Sequence, residues 1–167
     1  DHFGFDGNQI EVKIEDARTF VRACKNGYDV VIVDLFPGDN VPDYLLTRQF
    51  FTDVRRCVRP GGAMVMNAFF DDTDNAPNRR LLATIGAAFA NVFVFGVVRE
   101  NIFLAATQKT QPRTFPGATI ASMPVPIQSS VRAMLRTGRQ LAAKEIENVE
   151  PVTDEHNIFS VLFAPSN

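Results

Sequence analysis

The sequence predicts an α/β fold, a doubly wound and mostly parallel sheet that ends in an antiparallel hairpin. Apolar runs of strand length alternate with amphipathic helical segments along the first half of the chain. Two of these runs, residues 28–33 and 63–68, are mainly apolar, as in strands buried on both faces of a parallel sheet. Two later runs, residues 92–98 and 102–107, are separated by only three residues, which is typical of a hairpin.

The first elements can be assigned in order from their periodicity. Residues 9–14 alternate polar and apolar side chains and predict a strand. Asp16 is a suitable N-cap for a helix over residues 17–25, which Asn-Gly then ends. The buried strand over residues 28–33 follows and ends at Asp34.

The second part of the chain continues the alternation. Thr47 predicts the start of a helix that Arg-Pro-Gly-Gly closes at residues 59–62, before the strand over residues 63–68. A helix over residues 77–90 precedes the hairpin. Beyond it we expect an irregular connection over residues 108–128 and then, over residues 129–167, a helix to about residue 148 and a strand at 158–163, all within one domain.

Composition excludes several classes of function. The chain has 167 residues, 46% of them hydrophobic, which is enough for one globular core. Its 17 basic and 19 acidic residues are interspersed and leave a net charge of -2, so nucleic acid is not an expected partner. No apolar stretch is long enough to span a bilayer, and we expect a soluble, cytoplasmic protein without membrane partners.

Cysteine and histidine usage predicts no metal site. Cys24 and Cys57 are far apart and lack CxxC spacing, which argues against a zinc site and against a disulfide framework. The two histidines, His2 and His156, have no partner at ligand spacing. An acidic group invites a metal interpretation, although its position between a strand and a helix favours solvated side chains; its members are Asp71, Asp72 and Asp74.

Several motifs together resemble the polyamine aminopropyltransferase (spermidine synthase-like) family. They are Glu-Asp-Ala at 15–17, the strand and aspartate at 28–34, Leu-Thr-Arg-Gln-Phe-Phe at 46–51 and Arg-Pro-Gly-Gly at 59–62. The similarity runs from about residue 3 to residue 107, and residues 151–157 resemble a segment near the end of several spermidine synthase-like proteins. The resemblance implies a class I methyltransferase-like, Rossmann-like fold. It also implies aminopropyl transfer from decarboxylated S-adenosylmethionine to a diamine, without a metal.

The resemblance assigns roles to individual residues. The family's Asp-Ala pair, which contacts the adenine of the sulfonium nucleotide, falls on Asp16 and Ala17, and its aspartate beside the reacting amine falls on Asp34. Ligands of open α/β sheets bind beyond the carboxyl ends of the strands, where Asp16 and Asp34 are expected. Asp34 would orient the amine and help to deprotonate it.

Further residues of the same loop are candidates for binding the small amine substrate. Asp39 and Asp43 would hold a cationic diamine by charge-assisted hydrogen bonds, and Tyr44 would wall the site. Each acidic assignment has a simpler alternative. Asp34 can cap a loop, Asp16 can act only as a helix N-cap, and Asp39 and Asp43 can be solvated loop acids.

Two departures from the family pattern keep other functions open. Pro37 stands where the family has a second aspartate, which favours an S-adenosylmethionine-dependent methyltransferase as an alternative. The Gly-rich loop and the ribose-binding acid are absent, which favours a non-catalytic nucleotide-binding or assembly module. In the family sheet two strands lie between residues 9–14 and 28–33, and we expect upstream sequence or a partner chain to supply them. Self-association, for example as a homodimer, is a family-level expectation.

Overall fold

A mixed sheet forms the centre of the computed structural model, which describes residues 10–25, 27–35, 42–70, 76–96, 101–108 and 117–157. The strands are β1 (Tyr28–Val33), β2 (Val58–Phe69), β3 (Asn91–Phe95), β4 (Asn101–Thr107) and β5 (Arg139–Gln140). The helices are α1 (Ala17–Ala23), α2 (Arg48–Cys57), α3 (Ala76–Ala88), α4 (Gly117–Ala121) and α5 (Val125–Thr137), with short 3-10 turns at Asp43–Leu45 and Ala143–Glu145.

The five strands that the described residues form are ordered β1-β2-β4-β3-β5. β1 and β2 are parallel, because α2 carries the chain back across the sheet between them. β4 runs antiparallel to both β2 and β3. The predicted α/β fold with an antiparallel hairpin after the parallel pair is therefore confirmed.

The core lies on one face of the sheet, beneath α1, α2 and α3. Alternate strand residues on that face are buried, and the central ones are Val33, Met64, Met66, Val92, Val94, Leu104 and Ala106. The helices contribute their apolar stripes, including Val21, Phe50, Phe51, Val54, Leu81, Leu82 and Ile85. The apolar stripes of α1, α2 and α3 therefore face the sheet.

Side chains that set the helix starts also agree with the sequence. The Oδ1 atom of Asp16 accepts a hydrogen bond from the Thr19 backbone N–H at 2.9 Å and caps α1. Thr47 is fully buried, and its hydroxyl accepts from the Phe50 backbone N–H at 3.2 Å to cap α2. Both predicted N-caps are confirmed.

The strand predicted over residues 9–14 is wrong for the residues that the structure describes. Residues 10–14 form no strand, and the Ile14 side chain is 99% exposed. A strand requires a hydrogen-bonded neighbour, and β1, the outermost strand of the described sheet, pairs only with β2. Alternation in the sequence was therefore not sufficient to place this segment in the sheet.

Arg-Pro-Gly-Gly at residues 59–62 does not separate α2 from the next strand as predicted. β2 already begins at Val58, which pairs with Tyr28, while Ala63 pairs with Val30. Four residues of β2, 59–62, therefore lie opposite one residue of β1, Asp29, and the three extra residues form a bulge. Gly61 has a φ of 90°, which a glycine adopts without strain.

The C-terminal part is more helical than predicted. α4 and the first turn of α5 lie inside residues 108–128, where we expected an irregular connection. α5 also ends at Thr137 rather than near residue 148, because Gly138 leaves the helical conformation and the chain enters β5. The strand predicted over residues 158–163 lies outside the described residues.

The sequence-based argument against a disulfide is wrong for the two cysteines. A disulfide joins Cys24, which follows α1, to Cys57, the last residue of α2, with 5.1 Å between the two Cα atoms. The sequence separation of 33 residues concealed this pairing. Both cysteines lie at the C-terminal ends of their helices, and the side-by-side packing of α1 and α2 brings the sulfur atoms together.

Candidate active site

Asp34 and Asn67 meet at the carboxyl end of the parallel strand pair. Asp34 follows β1 directly and is exposed, and Asn67 lies near the end of β2. The Asn67 Nδ2 atom donates a hydrogen bond to Asp34 Oδ1 at 3.3 Å. This geometry follows from the register, in which Val33 lies opposite Met66 and the next residue of each strand faces the other.

Asn67 is a site residue that the sequence interpretation missed. Its Oδ1 atom is buried and has no hydrogen-bond partner among the described residues. A buried acceptor without a donor is unfavourable, and a ligand N–H would satisfy it. The sequence signal that could have identified Asn67 is that it is the single amide side chain in the apolar strand over residues 63–68.

Asp16 is held by two groups of hydrogen bonds. Its Oδ1 atom accepts from the Thr19 backbone and hydroxyl, at 2.9 and 3.3 Å, and its Oδ2 atom accepts from the Tyr44 hydroxyl at 2.8 Å. The Thr19 backbone hydrogen bond, followed by the Tyr44 hydrogen bond, lowers the pKa of Asp16 from its ordinary value. Asp16 is therefore an ionised acceptor at neutral pH.

Tyr44 closes over the start of α1 from the turn at Asp43–Leu45. Its hydrogen bond to Asp16 raises the pKa of the Tyr44 phenol above the ordinary value of 10.0, with burial as a smaller cause. The phenol therefore stays protonated and donates to the carboxylate. This contact joins two of the predicted site residues into one pair, the Asp16–Tyr44 pair.

Ala17 lines a cavity of about 500 Å³ beside β1. The walls are mainly apolar and include Phe20, Val21 and Val30, while Glu11, Lys13 and Glu15 border its other side. The cavity thus lies between residues 11–15 and β1, on the side where β1 has no neighbouring strand in the described sheet. Because two further strands are expected on this side of β1, the cavity marks an uncovered strand edge, and no ligand is assigned to it.

Of the remaining predicted site residues, the structure describes only Asp43. Asp39, together with Pro37 and Phe36, lies outside the described residues. Asp43 begins the 3-10 turn next to Tyr44 and is half-buried. The acids Asp71, Asp72 and Asp74, and His2, also lie outside the described residues.

The described residues form neither a candidate metal site nor a membrane-spanning helix. No group of three or more histidine, cysteine, aspartate or glutamate side chains in those ranges is arranged to hold a metal ion. None of the helices in the described part of the chain is long and apolar enough to cross a membrane.

Comparison with known proteins assigns this arrangement to a family. The family model of the spermine/spermidine synthase domain matches residues 1–97, which include Asp16, Asp34, Tyr44 and Asn67. A polyamine aminopropyltransferase 2 from Hyperthermus butylicus is 30% identical over 145 residues, covering 79% of this chain and 45% of the relative. A polyamine aminopropyltransferase from Nitrosomonas europaea is 32% identical over 98 residues, covering 59% of this chain and 28% of the relative.

Solved structures show the same fold. A probable spermidine synthase from Corynebacterium glutamicum superposes with a TM-score of 0.64 at 21% identity, covering 89% of this chain and 56% of that structure. Spermidine synthase from Thermotoga maritima gives 0.61 at 16% identity, covering 98% and 50%. Human methyltransferase-like protein 13, solved with SAH, gives 0.57 at 18% identity, covering 87% and 68%.

The chain spans about half the length, or less, of the relatives and spermidine synthase structures that it matches. Within that span, the family model covers more than half of the chain. The chain therefore belongs to the spermine/spermidine synthase domain family.

Proposed function

We propose that the protein transfers an aminopropyl group from decarboxylated S-adenosylmethionine to a small diamine, with Asp34 as the catalytic residue. The observation that carries the proposal is the position of Asp34, an exposed carboxylate at the carboxyl end of β1 that accepts a hydrogen bond from Asn67. Membership of the family supports the reaction class, and the curated relatives are named as polyamine aminopropyltransferases.

The chemistry requires a neutral amine beside a carboxylate. A diamine is protonated at neutral pH, so its attacking nitrogen must first lose a proton, which Asp34 accepts. The nitrogen lone pair then attacks the methylene carbon next to the sulfonium. As the new C–N bond forms, the C–S bond breaks and its electron pair returns to sulfur, which leaves as neutral methylthioadenosine. The product nitrogen is a secondary ammonium that stays protonated at neutral pH, and Asp34 passes the proton that it accepted to solvent.

Asp16 supplies the proposed contact with the nucleotide. A carboxylate has about four acceptor positions, and the Thr19 and Tyr44 donors occupy only part of that capacity. The adenine amine would use a remaining position on Asp16, while Ala17 would contact the ring. The free Oδ1 atom of Asn67 would accept from the amine substrate.

The first prediction concerns Asp34. In the full-length protein, we expect Asp34→Asn to lower kcat by about 10²- to 10⁴-fold, because the amide keeps the shape but cannot take the proton. Nucleotide binding should largely survive. Activity is measured as methylthioadenosine release from decarboxylated S-adenosylmethionine and putrescine.

A matched control lies at the other end of the same strand. Asp29 pairs with Arg59, and both side chains are largely exposed, so Asp29→Asn should leave turnover nearly unchanged. Unchanged turnover in Asp34→Asn would rule out the catalytic role.

Calorimetry separates this proposal from the two alternatives. Binding of decarboxylated S-adenosylmethionine in preference to S-adenosylmethionine supports aminopropyl transfer, and the reverse preference supports a methyltransferase. Binding of neither nucleotide, and none of methylthioadenosine, leaves the non-catalytic module as the function.

A further inference from the structure

The segment over residues 151–154, far along the chain from the candidate site, is anchored in the core. Val152 is 1% exposed, and its backbone N–H donates to the Thr84 hydroxyl of α3 at 2.9 Å. Its carbonyl accepts from the backbone N–H of Arg48, the first residue of α2, at 2.8 Å. The segment therefore lies across the start of α2 in a defined position.

Asp154 extends from this anchored segment to Arg18 of α1. The Arg18 residue is 8% exposed, and its Nη2 atom donates to Asp154 Oδ2. The Asp154 backbone N–H donates to Gln49 Oε1 at 3.2 Å, and this hydrogen bond holds Asp154 beside α2. A buried guanidinium beside a carboxylate held in this way is an ion pair with little freedom to rearrange.

Arg18 also contacts the candidate site. Its Nη1 atom donates to the backbone carbonyl of Tyr44 at 2.8 Å. The hydroxyl of the same tyrosine donates to Asp16, the N-cap two residues before Arg18, at 2.8 Å. Arg18 thus links the anchored segment to both members of the Asp16–Tyr44 pair.

We propose that residues 151–154 act as a clamp on the nucleotide site, in which Asp154 is a positioning residue that acts through Arg18 on the Asp16–Tyr44 pair. The proposal rests on the proposed function, since it assumes that Asp16 contacts the nucleotide. Asp154 itself contacts Arg18 and would act on the ligand only through that residue.

The physical basis is the cost of an unpaired buried charge. Without the Asp154 carboxylate, the Arg18 guanidinium would remain buried without its anion, which is strongly unfavourable. The side chain would turn toward water and release the Tyr44 carbonyl. The turn at Asp43–Leu45 would then lose its fixed position, and the Tyr44 hydroxyl would spend less time on Asp16.

The pKa of the Tyr44 phenol provides a test that does not depend on activity. NMR of the full-length protein labelled with ¹³C-tyrosine follows this phenol, and Tyr44→Phe assigns its resonance. Asp16 and Arg18 are the charged groups that act on it, the first raising and the second lowering its pKa. In Asp154→Asn, loss of the Asp16 contact lowers the Tyr44 pKa toward 10.0.

Glu155→Gln is the matched control, because it removes one charge from the adjacent residue. Glu155 accepts from Gln49 at 3.0 Å and makes no described contact with Arg18. It should leave the Tyr44 pKa unchanged. Asp154→Glu keeps the charge and should retain much of the elevated Tyr44 pKa, which a purely structural defect would not allow.

Binding of methylthioadenosine tests the link to the nucleotide site. We expect Asp154→Asn to weaken binding about tenfold, and Glu155→Gln by less than about twofold. An unchanged Tyr44 pKa in Asp154→Asn overturns the clamp. A lowered Tyr44 pKa with unchanged binding overturns its role at the nucleotide site. If the wild-type protein binds no nucleotide, the proposed function fails, while the titration still decides whether Asp154 positions Tyr44.

Discussion

Arg18 illustrates at the scale of single residues what a local pattern omits. Among the described residues, Arg18 is the only charged residue that is buried. The sequence places Arg18 in the first turn of a helix, where an arginine is normally solvated. Its partner Asp154 is 136 residues away, so neither periodicity nor a motif indicates the pair.

The ion pair between Arg18 and Asp154 predicts a specific pH dependence of stability. Partial burial acts to raise the pKa of Asp154, but hydrogen bonds from Arg18 and Thr47, with the charges of Arg18 and Arg22, lower it below 3.8. Because the folded-state pKa lies below the unfolded one, the pair stabilises the fold above the unfolded pKa. That contribution is lost as the pH falls through the folded-state pKa.

We therefore expect the difference in unfolding free energy between wild type and Asp154→Asn to be largest near neutral pH and to shrink below about pH 4. Urea denaturation at a series of pH values measures it. The pKa of the neighbouring Glu155 is also lowered, so Glu155 adds its own pH dependence. Repeating the comparison in a Glu155→Gln background removes that contribution. A difference that does not change with pH would show that Asp154 acts by shape alone.

At the scale of elements, local signals identified most helices and strands but not every boundary. Asp16 and Thr47 are N-caps because their side chains reach a backbone N–H three residues on, which is a local property. The bulge in β2 depends instead on β1, whose register against β2 shifts between Tyr28 and Val30. A glycine pair signals a turn or a bulge equally well, and only the partner strand decides.

The bulge predicts a strong effect at Gly62. A Cβ atom there would lie 2.4 Å from the Asp29 carbonyl oxygen and 2.9 Å from Val58 Cγ1, so β1 and β2 would have to separate. We expect Gly62→Ala to destabilise the fold by about 1–3 kcal/mol, as overpacking does.

Gly27→Ala serves as the control for this substitution, since its nearest contact would be an ordinary 3.8 Å to the Lys25 carbonyl. Its effect should stay within about 0.5 kcal/mol. Both values come from thermal or urea denaturation. Equal effects at the two glycines would contradict the close approach of β2 to β1.

At the scale of the whole molecule, the helices α1, α2 and α3 cover one face of the sheet and leave part of the other face open at β1. Successive residues of β1 point to opposite faces, and Ile32 is 72% exposed whereas Val33 is 4% exposed. Parallel strands are normally covered on both faces. Among the described residues, no element covers the Ile32 face of β1.

Matched substitutions of these two neighbours test the asymmetry. Both residues are β-branched, and threonine preserves the β propensity while adding a hydroxyl. In this chain we expect Val33→Thr to cost about 1–3 kcal/mol, because the hydroxyl is buried without a partner, and Ile32→Thr about 0.5 kcal/mol or less. Urea denaturation provides both values, and a comparable loss at Ile32 would mean that the second face is covered. Self-association remains a family-level prediction.

The sequence by itself determined the α/β class, the order of the central elements, two helix caps and the candidates Asp16, Asp34 and Tyr44. These depend on periodicity, capping and motifs within short stretches of chain. The tertiary structure decided which distant groups meet: Asn67 with Asp34, Tyr44 with Asp16, Cys24 with Cys57 and Asp154 with Arg18. Each pair is formed by helix packing or strand register, which depends on the whole chain and leaves no local signal.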